Sequence, residues 1–305
     1  MNAAKELPVW RSLLYVPVNV EKFVDKAHTS GADVVQLDLE DSVPPSAKDH
    51  ARTLVAASAQ RVRRAGADVV VRINRPIDMA VRDLEASVGP LVDGIAVTKV
   101  EGPDHVRLLD ELVSELEAKR GLREGHTKFI VMIETPATYF NMPAVAASAA
   151  RIVAMSIGGE DFASEVGMEP TEETLQLPKQ TMIYAAKSAG LMPFGYIASV
   201  AGFGDWDGFR RMVRRSRQFG FMGASCIHPG QVPIVNEEYT PSAEEVAFAR
   251  RIIEEDRKHA AAGRASFAVD GKMIDIPVIR RAETLVRRAE AIAAREAVKK
   301  AALGG

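Results

Sequence analysis

A chain of 305 residues, 47% hydrophobic and 26% charged, has the material for one large barrel or two ordinary domains and lies far from the composition of a disordered or fibrous protein. Its 39 basic and 41 acidic residues leave a formal charge of −2, which excludes a global basic field for nucleic acid, and its single cysteine, Cys226, excludes an intrachain disulfide framework or a cysteine-built zinc cluster and points to a reducing compartment. No apolar run approaches the ~20 residues that span a bilayer, and the opening "MNAAKELPVWRSLL" lacks an apolar leader core, so a cytoplasmic protein without membrane or nucleic-acid partners is expected.

Short β-branched runs alternate with amphipathic stretches of helical length. In chain order, "SLLYVPV" precedes "VEKFVDKAHTSG", "ADVVQLDLE" precedes "SAKDHARTLVAASAQRVRRAG", and "DVVVRIN" precedes "MAVRDLEASVG". "GIAVTKV" then leads into "DHVRLLDELVSELEAKRG", "KFIVMIE" into "MPAVAASAA", and "IVAMSIGG" into "LQLPKQTMIYAAKSAG". Finally "MPFGYIAS" leads into "DWDGFRRMVRRSRQFG", and "GASCIHP" into "QVPIVNEEY". Eight strand–helix units, the fifth and eighth helices being the weakest, predict an α/β fold of the (β/α)8 TIM-barrel type over residues 1–240. A doubly wound open sheet is the rival, but the first strand-to-helix turn, "VPVNVE", has no glycine-rich phosphate fingerprint.

Residues 241–305 do not continue the pattern and are expected to form a helical extension containing a hairpin. Ser242 with Glu245 three residues on predicts a capping box opening a helix that Gly263 closes. "SFAVDGKMID" predicts a hairpin turning on Asp270–Gly271, and a last helix begins with Pro277 at its first position.

In a barrel of this kind chemistry belongs at the carboxyl ends of the strands. Those ends read Asp38, Glu40 and Asp41 after the second strand, Arg72 and Asn74 after the third, and Lys99 after the fourth. They continue with Glu134 after the fifth, Glu160 and Asp161 after the sixth, and His228 after the eighth. Glu134 closes an apolar run, Phe129 to Ile133, where a carboxylate is costly without a partner. With Asp161 it supplies two hard oxygen donors, which suits magnesium; a loop residue and a helix N-cap are the plainer readings of the two. Arg72, emerging from "VVVRIN", would grip a carboxylate or keto-acid oxygen, and an ion pair with Asp38 or Glu40 is compatible with that role. Lys99 would serve as a Schiff-base amine in a metal-independent aldolase. Cys226 and His228 read as packing and turn residues, and nothing matches a Ser-His-Asp arrangement.

The segments "RSLLYVP", "LDLEDSVP", "VRIN", "VTKVE", "IET", "GGEDF", "GFMGASCIHPGQV" and "GKMIDIP", in this order, resemble the citrate lyase beta-subunit-like (CitE-like) branch of the HpcH/HpaI aldolase superfamily, which includes malyl-CoA and citramalyl-CoA lyases. The resemblance implies a TIM barrel, a homotrimer or hexamer, that cleaves or forms a carbon–carbon bond beside a metal-bound 2-oxoacid. It places Mg2+, with Mn2+ as a substitute, on Glu134 and Asp161, and makes Arg72 the oxoacid-binding arginine. Asp275 of "GKMIDIP" corresponds to an acid/base that reaches a neighbouring subunit's site, although the residues alone favour an aspartate complementing the helix dipole ahead of Pro277. Glu40 and Asp41 would orient Arg72 or metal-bound water, and Arg11 and Lys48 would meet the phosphates of coenzyme A, which enters as part of the substrate. Val18 and Ala224 depart from the commonest pattern, glycine and lysine respectively, near the expected ligand.

The expected activity is a Mg2+-dependent lyase on a 3-hydroxyacyl-CoA such as malyl-CoA or citramalyl-CoA, releasing a 2-oxoacid and an acyl-CoA. The alternatives are a citryl-carrier subunit of a citrate lyase complex, a malyl-CoA thioesterase, and the Lys99 Schiff-base aldolase.

Overall fold

Strands and helices alternate through residues 12–238 in the computed structural model, which describes residues 7–199, 204–261 and 266–303. The order is β1 (Ser12–Pro17), α1 (Glu21–Ala27), β2 (Val34–Asp38), α2 (Lys48–Val62), β3 (Asp68–Ile73), α3 (Ile77–Ser87), β4 (Gly94–Val97) and α4 (Pro103–Lys119). It continues with β5 (Lys128–Ile133), α5 (Pro136–Phe140), α6 (Met142–Ala146), β6 (Ile152–Ile157), α7 (Gly159–Val166) and α8 (Glu172–Ser188), then β7 (Met192–Pro193), α9 (Trp206–Phe219), β8 (Ala224–Cys226) and α10 (Gln231–Glu238).

All eight strands are parallel in one curled sheet of order β7-β6-β5-β4-β3-β2-β1-β8. The seam closes through a bridge between Phe194 and Gly223, with Met222 N donating to Pro193 O at 3.0 Å and Gly195 N to Gly223 O at 2.8 Å. Glycine is required at 223: a Cβ there would stand 2.0 Å from the Trp10 carbonyl oxygen, so only a bare backbone lets β8 approach β1. The TIM-barrel expectation is met, with differences of detail. The fifth helix is two short pieces, each opened by a proline at its first turn, and α7 was not expected because its "GEDFASEV" is too short to show a period. β7 spans two residues because Pro193 donates no hydrogen bond and Gly195 takes φ +134°.

Period-two alternation sorts the strand residues into two layers. Leu14, Val16, Val35, Leu37, Val69, Val71, Phe129 and Val131 point outward and pack with the helices. Leu13, Val34, Val70, Ala96, Ile130 and Ala154 point inward and fill the barrel's lower half with Trp10. Two residues further along the same inward rows stand Tyr15, Gln36, Arg72, Met132 and Ser156, so the interior turns polar towards the carboxyl ends of the strands.

Residues 1–239 and 240–305 form two compact units. In the second, α11 (Ala243–Ala261) opens on the expected capping box, Glu245 N donating to Ser242 Oγ at 3.2 Å and Ser242 N to Glu245 Oε2 at 2.7 Å. Gly263 lies outside the described residues. β9 (Phe267–Val269) and β10 (Lys272–Ile274) pair antiparallel about Asp270–Gly271. α12 runs Ile276–Leu303, so Pro277 is its second residue and not its first. Among the described residues no helix is long and apolar enough to cross a membrane.

Candidate functional site

A cavity of about 750 Å³ opens at the carboxyl ends of the strands, lined by Tyr15, Asp38, Arg72, Glu134, Asp161 and Lys179 among others. The ladder builds its first ion pair directly. Asp38 and Arg72 are register partners of β2 and β3, and the guanidinium grips the carboxylate through Nε–Oδ1 and Nη2–Oδ2, both 2.7 Å. Arg72 Nη1 also reaches Glu40 Oε2 at 2.9 Å, and its plane lies 5.0 Å from the centre of the Tyr15 ring. Burial works against the Asp38 charge, but the hydrogen bonds and charge of Arg72 outweigh it and hold the carboxyl below its usual range. Burial equally opposes the guanidinium, and Asp38 and Glu40 more than compensate, raising its pKa. Arg72 is therefore ion-paired, and it also lines the cavity.

Glu134 is 2% exposed, one residue past the β5–β6 register pair Ile133–Ile157, and so comes against Gly158. A Cβ on Gly158 would fall 2.5 Å from Glu134 Oε1, so glycine leaves the carboxylate its space. Glu134 Oε2 accepts the Lys99 backbone N–H at 2.5 Å, and Lys99 adopts φ +48°, a left-handed conformation uncommon outside glycine. Burial, and then the nearby Asp161 charge, push the Glu134 pKa up to about 8. The Lys99 side chain turns the other way, Nζ meeting Glu40 Oε1 at 2.5 Å and Asp41 Oδ1 at 3.4 Å. Burial alone would lower its pKa, yet Glu40 and Asp41 raise it, which keeps the amine protonated and disfavours it as a Schiff-base nucleophile. For Glu40, burial raises the pKa and Arg72 only partly offsets it.

The structure thus links Asp38, Glu40, Asp41, Arg72, Lys99, Glu134 and Asp161 through one chain of contacts and charges. It leaves others apart. Asn74 Nδ2 donates to Leu39 O at 2.9 Å and Asp83 Oδ2 at 2.7 Å, holding the β2 and β3 loops together. Glu160, exposed and bonded to Ser199, and His228 line the cavity without joining that chain of contacts. In the His228 turn, Gln231 Oε1 accepts from Ile227 N at 2.8 Å and His228 N at 3.1 Å, and the buried Cys226 thiol is pushed up to about 12 by desolvation.

Two expectations about coenzyme A are corrected. Arg11 precedes β1 and lies at the opposite end of the strands, 3% exposed, with Nε and Nη2 each 2.8 Å from the Asp33 carboxylate; it is committed to the barrel floor. Lys48 is buried and donates to the Leu39 and Glu40 carbonyls at 2.7 and 2.6 Å, so its ammonium fastens the β2 loop and does not face solvent. Asp275 caps α12, accepting from Val278 N at 3.3 Å through Oδ1.

Two groups in the cavity escaped the sequence reading. Tyr15 was legible as an inward position of β1, two residues beyond Leu13. Lys179 sits among the buried Leu175, Met182, Ile183 and Ala186 of α8, and a lysine inside an apolar stripe was the available signal.

The donor set fits a hard divalent cation: two carboxylates, one of them pressed towards neutrality by its burial and then by the other, beside an amide and an arginine. Among the described residues no group of three or more His, Cys, Asp or Glu could hold a metal, so water or substrate oxygens would complete an octahedron.

Fold and mouth together define a TIM-barrel enzyme with an acidic, arginine-backed cavity. The HpcH/HpaI aldolase/citrate lyase family pattern matches residues 11–229, and the chain belongs to that family, as its motifs implied. It is 31% identical over 284 residues to the citrate lyase subunit beta of Haemophilus influenzae, covering 92% of this chain and 97% of that one. It is 32% identical over 308 residues to the L-malyl-CoA/beta-methylmalyl-CoA lyase of Cereibacter sphaeroides, covering 93% and 96%. Among solved structures, protein CitE of Mycobacterium tuberculosis in complex with magnesium, acetoacetate and coenzyme A superposes with a TM-score of 0.72 at 30% identity, covering 92% and 97%.

Proposed function

We propose that the protein is a Mg2+-dependent carbon–carbon lyase acting on a 3-hydroxyacyl-CoA such as malyl-CoA or citramalyl-CoA, giving a 2-oxoacid and an acyl-CoA. The observation that carries the reading is the buried Glu134 held beside Asp161 with Arg72 facing the same cavity. Support comes also from relatives named as lyases of malyl-CoA and citrate, and from a CitE structure containing magnesium and coenzyme A.

Glu134 and Asp161 would hold the cation, which when bound acidifies the substrate hydroxyl and stabilises charge on its oxygen. Arg72, kept rigid by Asp38 and Glu40, adds charge-assisted hydrogen bonds to the oxoacid oxygens. Lys99 fixes Glu134 by its amide and Glu40 by its ammonium, so both acidic positions are set before ligand arrives. In cleavage, a base takes the hydroxyl proton, the bond between the carbinol carbon and the thioester α-carbon breaks and leaves its electron pair in the thioester enolate, and that α-carbon takes a proton. Asp275, supplied by a neighbouring copy in a trimer, is the acid for that last step and the base for the reverse reaction.

Incubation of the purified protein with L-malyl-CoA and citramalyl-CoA, with Mg2+ or excess EDTA, tests the reading by mass spectrometry of the products. Metal-dependent release of glyoxylate or pyruvate with acetyl-CoA is expected. Free acid plus CoA would replace it with a thioesterase, and inertness towards both esters would favour a citryl group on a carrier, as the citrate lyase relative suggests. Asp275→Ala is expected to abolish turnover with Mg2+ binding intact, losing only ~1 kcal/mol of stability as an N-cap; retained turnover would return Asp275 to a capping role.

A further inference from the structure

Lys179 is a buried amine that the proposed chemistry does not use. It is 5% exposed at the cavity wall, and its Nζ donates one hydrogen bond, to Ala198 O at 2.9 Å. That carbonyl fixes the direction of the side chain but supplies no counter-charge, and a buried ammonium without one is costly. The elements packed most closely against α8 offer none: β6 reads "IVAMSI", β7 "MP" and α6 "MPAVA", with no titratable side chain among them. Among the described residues the charge that acts on Lys179 is Glu160, at the start of α7, and its carboxylate is bonded to Ser199.

Lys99 is the opposite case, its Nζ held protonated by Glu40 and Asp41. Lys179 instead combines the features of an amine that reacts. Gly159 also lines the cavity, and a Cβ on it would stand 3.4 Å from Lys179 Nζ, so a bare backbone leaves the nitrogen open on the side of the β6 turn. Desolvation pushes the Lys179 pKa down to about 8, so part of the amine carries a free lone pair near neutrality. The donor count points the same way. An ammonium brings three N–H groups to one acceptor, whereas an iminium formed on the same nitrogen keeps one, which Ala198 O satisfies.

We propose that Lys179 is a nucleophile, a second reactive centre in the cavity that condenses with the carbonyl carbon of a small aldehyde or ketone and needs no metal to do so. The inference goes beyond the metal-dependent lyase reading and does not rest on it. The nitrogen lone pair forms the bond to carbon while the carbonyl π pair moves to oxygen. That oxygen takes one proton from the amine and one from solvent and leaves as water, giving an iminium without any oxidant or reductant. The iminium can then accept the electron pair of a neighbouring C–H or C–C bond.

The test traps that iminium in the wild-type protein. Protein in excess EDTA is incubated with pyruvate and sodium cyanoborohydride from about pH 7 to about pH 10, and the reduced adduct is located by peptide mass spectrometry. At about pH 8 Lys179 is expected to carry at least ~tenfold more label than the mean of the surface lysines, and the ratio should shrink at higher pH as ordinary amines approach their pKa of ~10.4. Lys99→Arg should leave that label in place, and Lys179→Arg should remove it. Labelling of Lys179 no faster than the surface lysines, a ratio indifferent to pH, or an adduct on Lys99 in its place overturns the proposal. Because the decisive sample is the metal-free wild type, neither a variant that fails to fold nor a failed lyase assay can imitate these results.

Discussion

At the amino ends of the barrel strands charges stand in pairs: the buried Arg11 is locked to Asp33, the half-buried Arg63 to Asp93, and the buried Arg151 to Glu117 and Asp110. At the carboxyl ends the balance is broken. Glu134 stands against Asp161, and among the described residues no carboxylate is bonded to Lys179, whose Nζ donates to Ala198 O. A buried pair that is fully hydrogen-bonded contributes little net stability, but breaking it is expensive. Like charges brought together, or a cation left alone, lower stability unless something else binds. The floor is thus arranged for the protein's own integrity and the mouth for a ligand, the division expected when loops at one face of a barrel carry function.

The largest effect should come from removing the mouth's carboxylates. Glu134→Gln combined with Asp161→Asn is expected to abolish Mg2+ binding by calorimetry and to lower lyase turnover by about 10³-fold or more, the equivalent of several kcal/mol of electrostatic stabilisation. Its melting temperature should hold or rise, since a carboxyl that burial and the facing Asp161 keep from ionising is replaced by a neutral amide. A marked fall in melting temperature would mean that the pair is structural and would erase the contrast between the ends.

The floor predicts the reverse. Arg151 donates to Glu117 Oε1 at 3.1 Å, Thr127 O at 2.8 Å and Ser114 Oγ at 2.7 Å, in addition to Asp110. Arg151→Met strands the Glu117 carboxylate and should cost about 3–5 kcal/mol in denaturant unfolding, with Mg2+ affinity changed less than about twofold. Loss of metal binding without loss of stability would show that the floor is coupled to the mouth.

The two ends also differ in their response to pH. Glu134 has its pKa raised to about 8, from an unfolded value near 4.3, so below about pH 4.3 folded and unfolded states are both protonated and it carries no penalty. As pH rises towards 8 the unfolded chain releases a proton that the metal-free folded state retains, and stability falls. Metal-free wild type should lose up to a few kcal/mol relative to Glu134→Gln across that window, at ~1.4 kcal/mol per pH unit at most, and Mg2+ should cancel the difference. Parallel stability–pH curves without metal would remove the electrostatic account of the site.

Much of this contrast was legible in the sequence, for identifiable reasons. Glu134 and Arg72 stood out because each places a charge at the end of an apolar run, and the alternation of eight such runs with stretches of helical length specified the barrel. Arg11 was misplaced because resemblance by motif order does not say which end of a strand a residue occupies, although its position ahead of Ser12 did. Lys179 was not singled out, since a lone lysine on a helix is ordinarily solvated; the burial of Leu175, Met182 and Ile183 around it shows the exception. The left-handed turn at Lys99 that aims an amide at Glu134 had no signal, because non-glycine residues there are rare and side-chain type does not announce them.

Two glycine substitutions sharpen the comparison at the smallest scale, since each glycine is required for a different reason. Gly31 has φ +73° with nothing within 4 Å of where a Cβ would lie, so Gly31→Ala meets backbone strain alone. It should cost about 1 kcal/mol of stability and leave Mg2+ affinity unchanged. Gly158 has φ −70°, comfortable for any residue, but a Cβ there would overlap Glu134 Oε1. Gly158→Ala must therefore displace the carboxylate while sparing the backbone, and Mg2+ affinity should fall about 10–100-fold, the range seen when a ligand's orientation is disturbed. If Gly158→Ala instead lowers stability and leaves metal affinity untouched, Glu134 is not held against the cation by this turn, and the mouth's charge pattern would need another occupant.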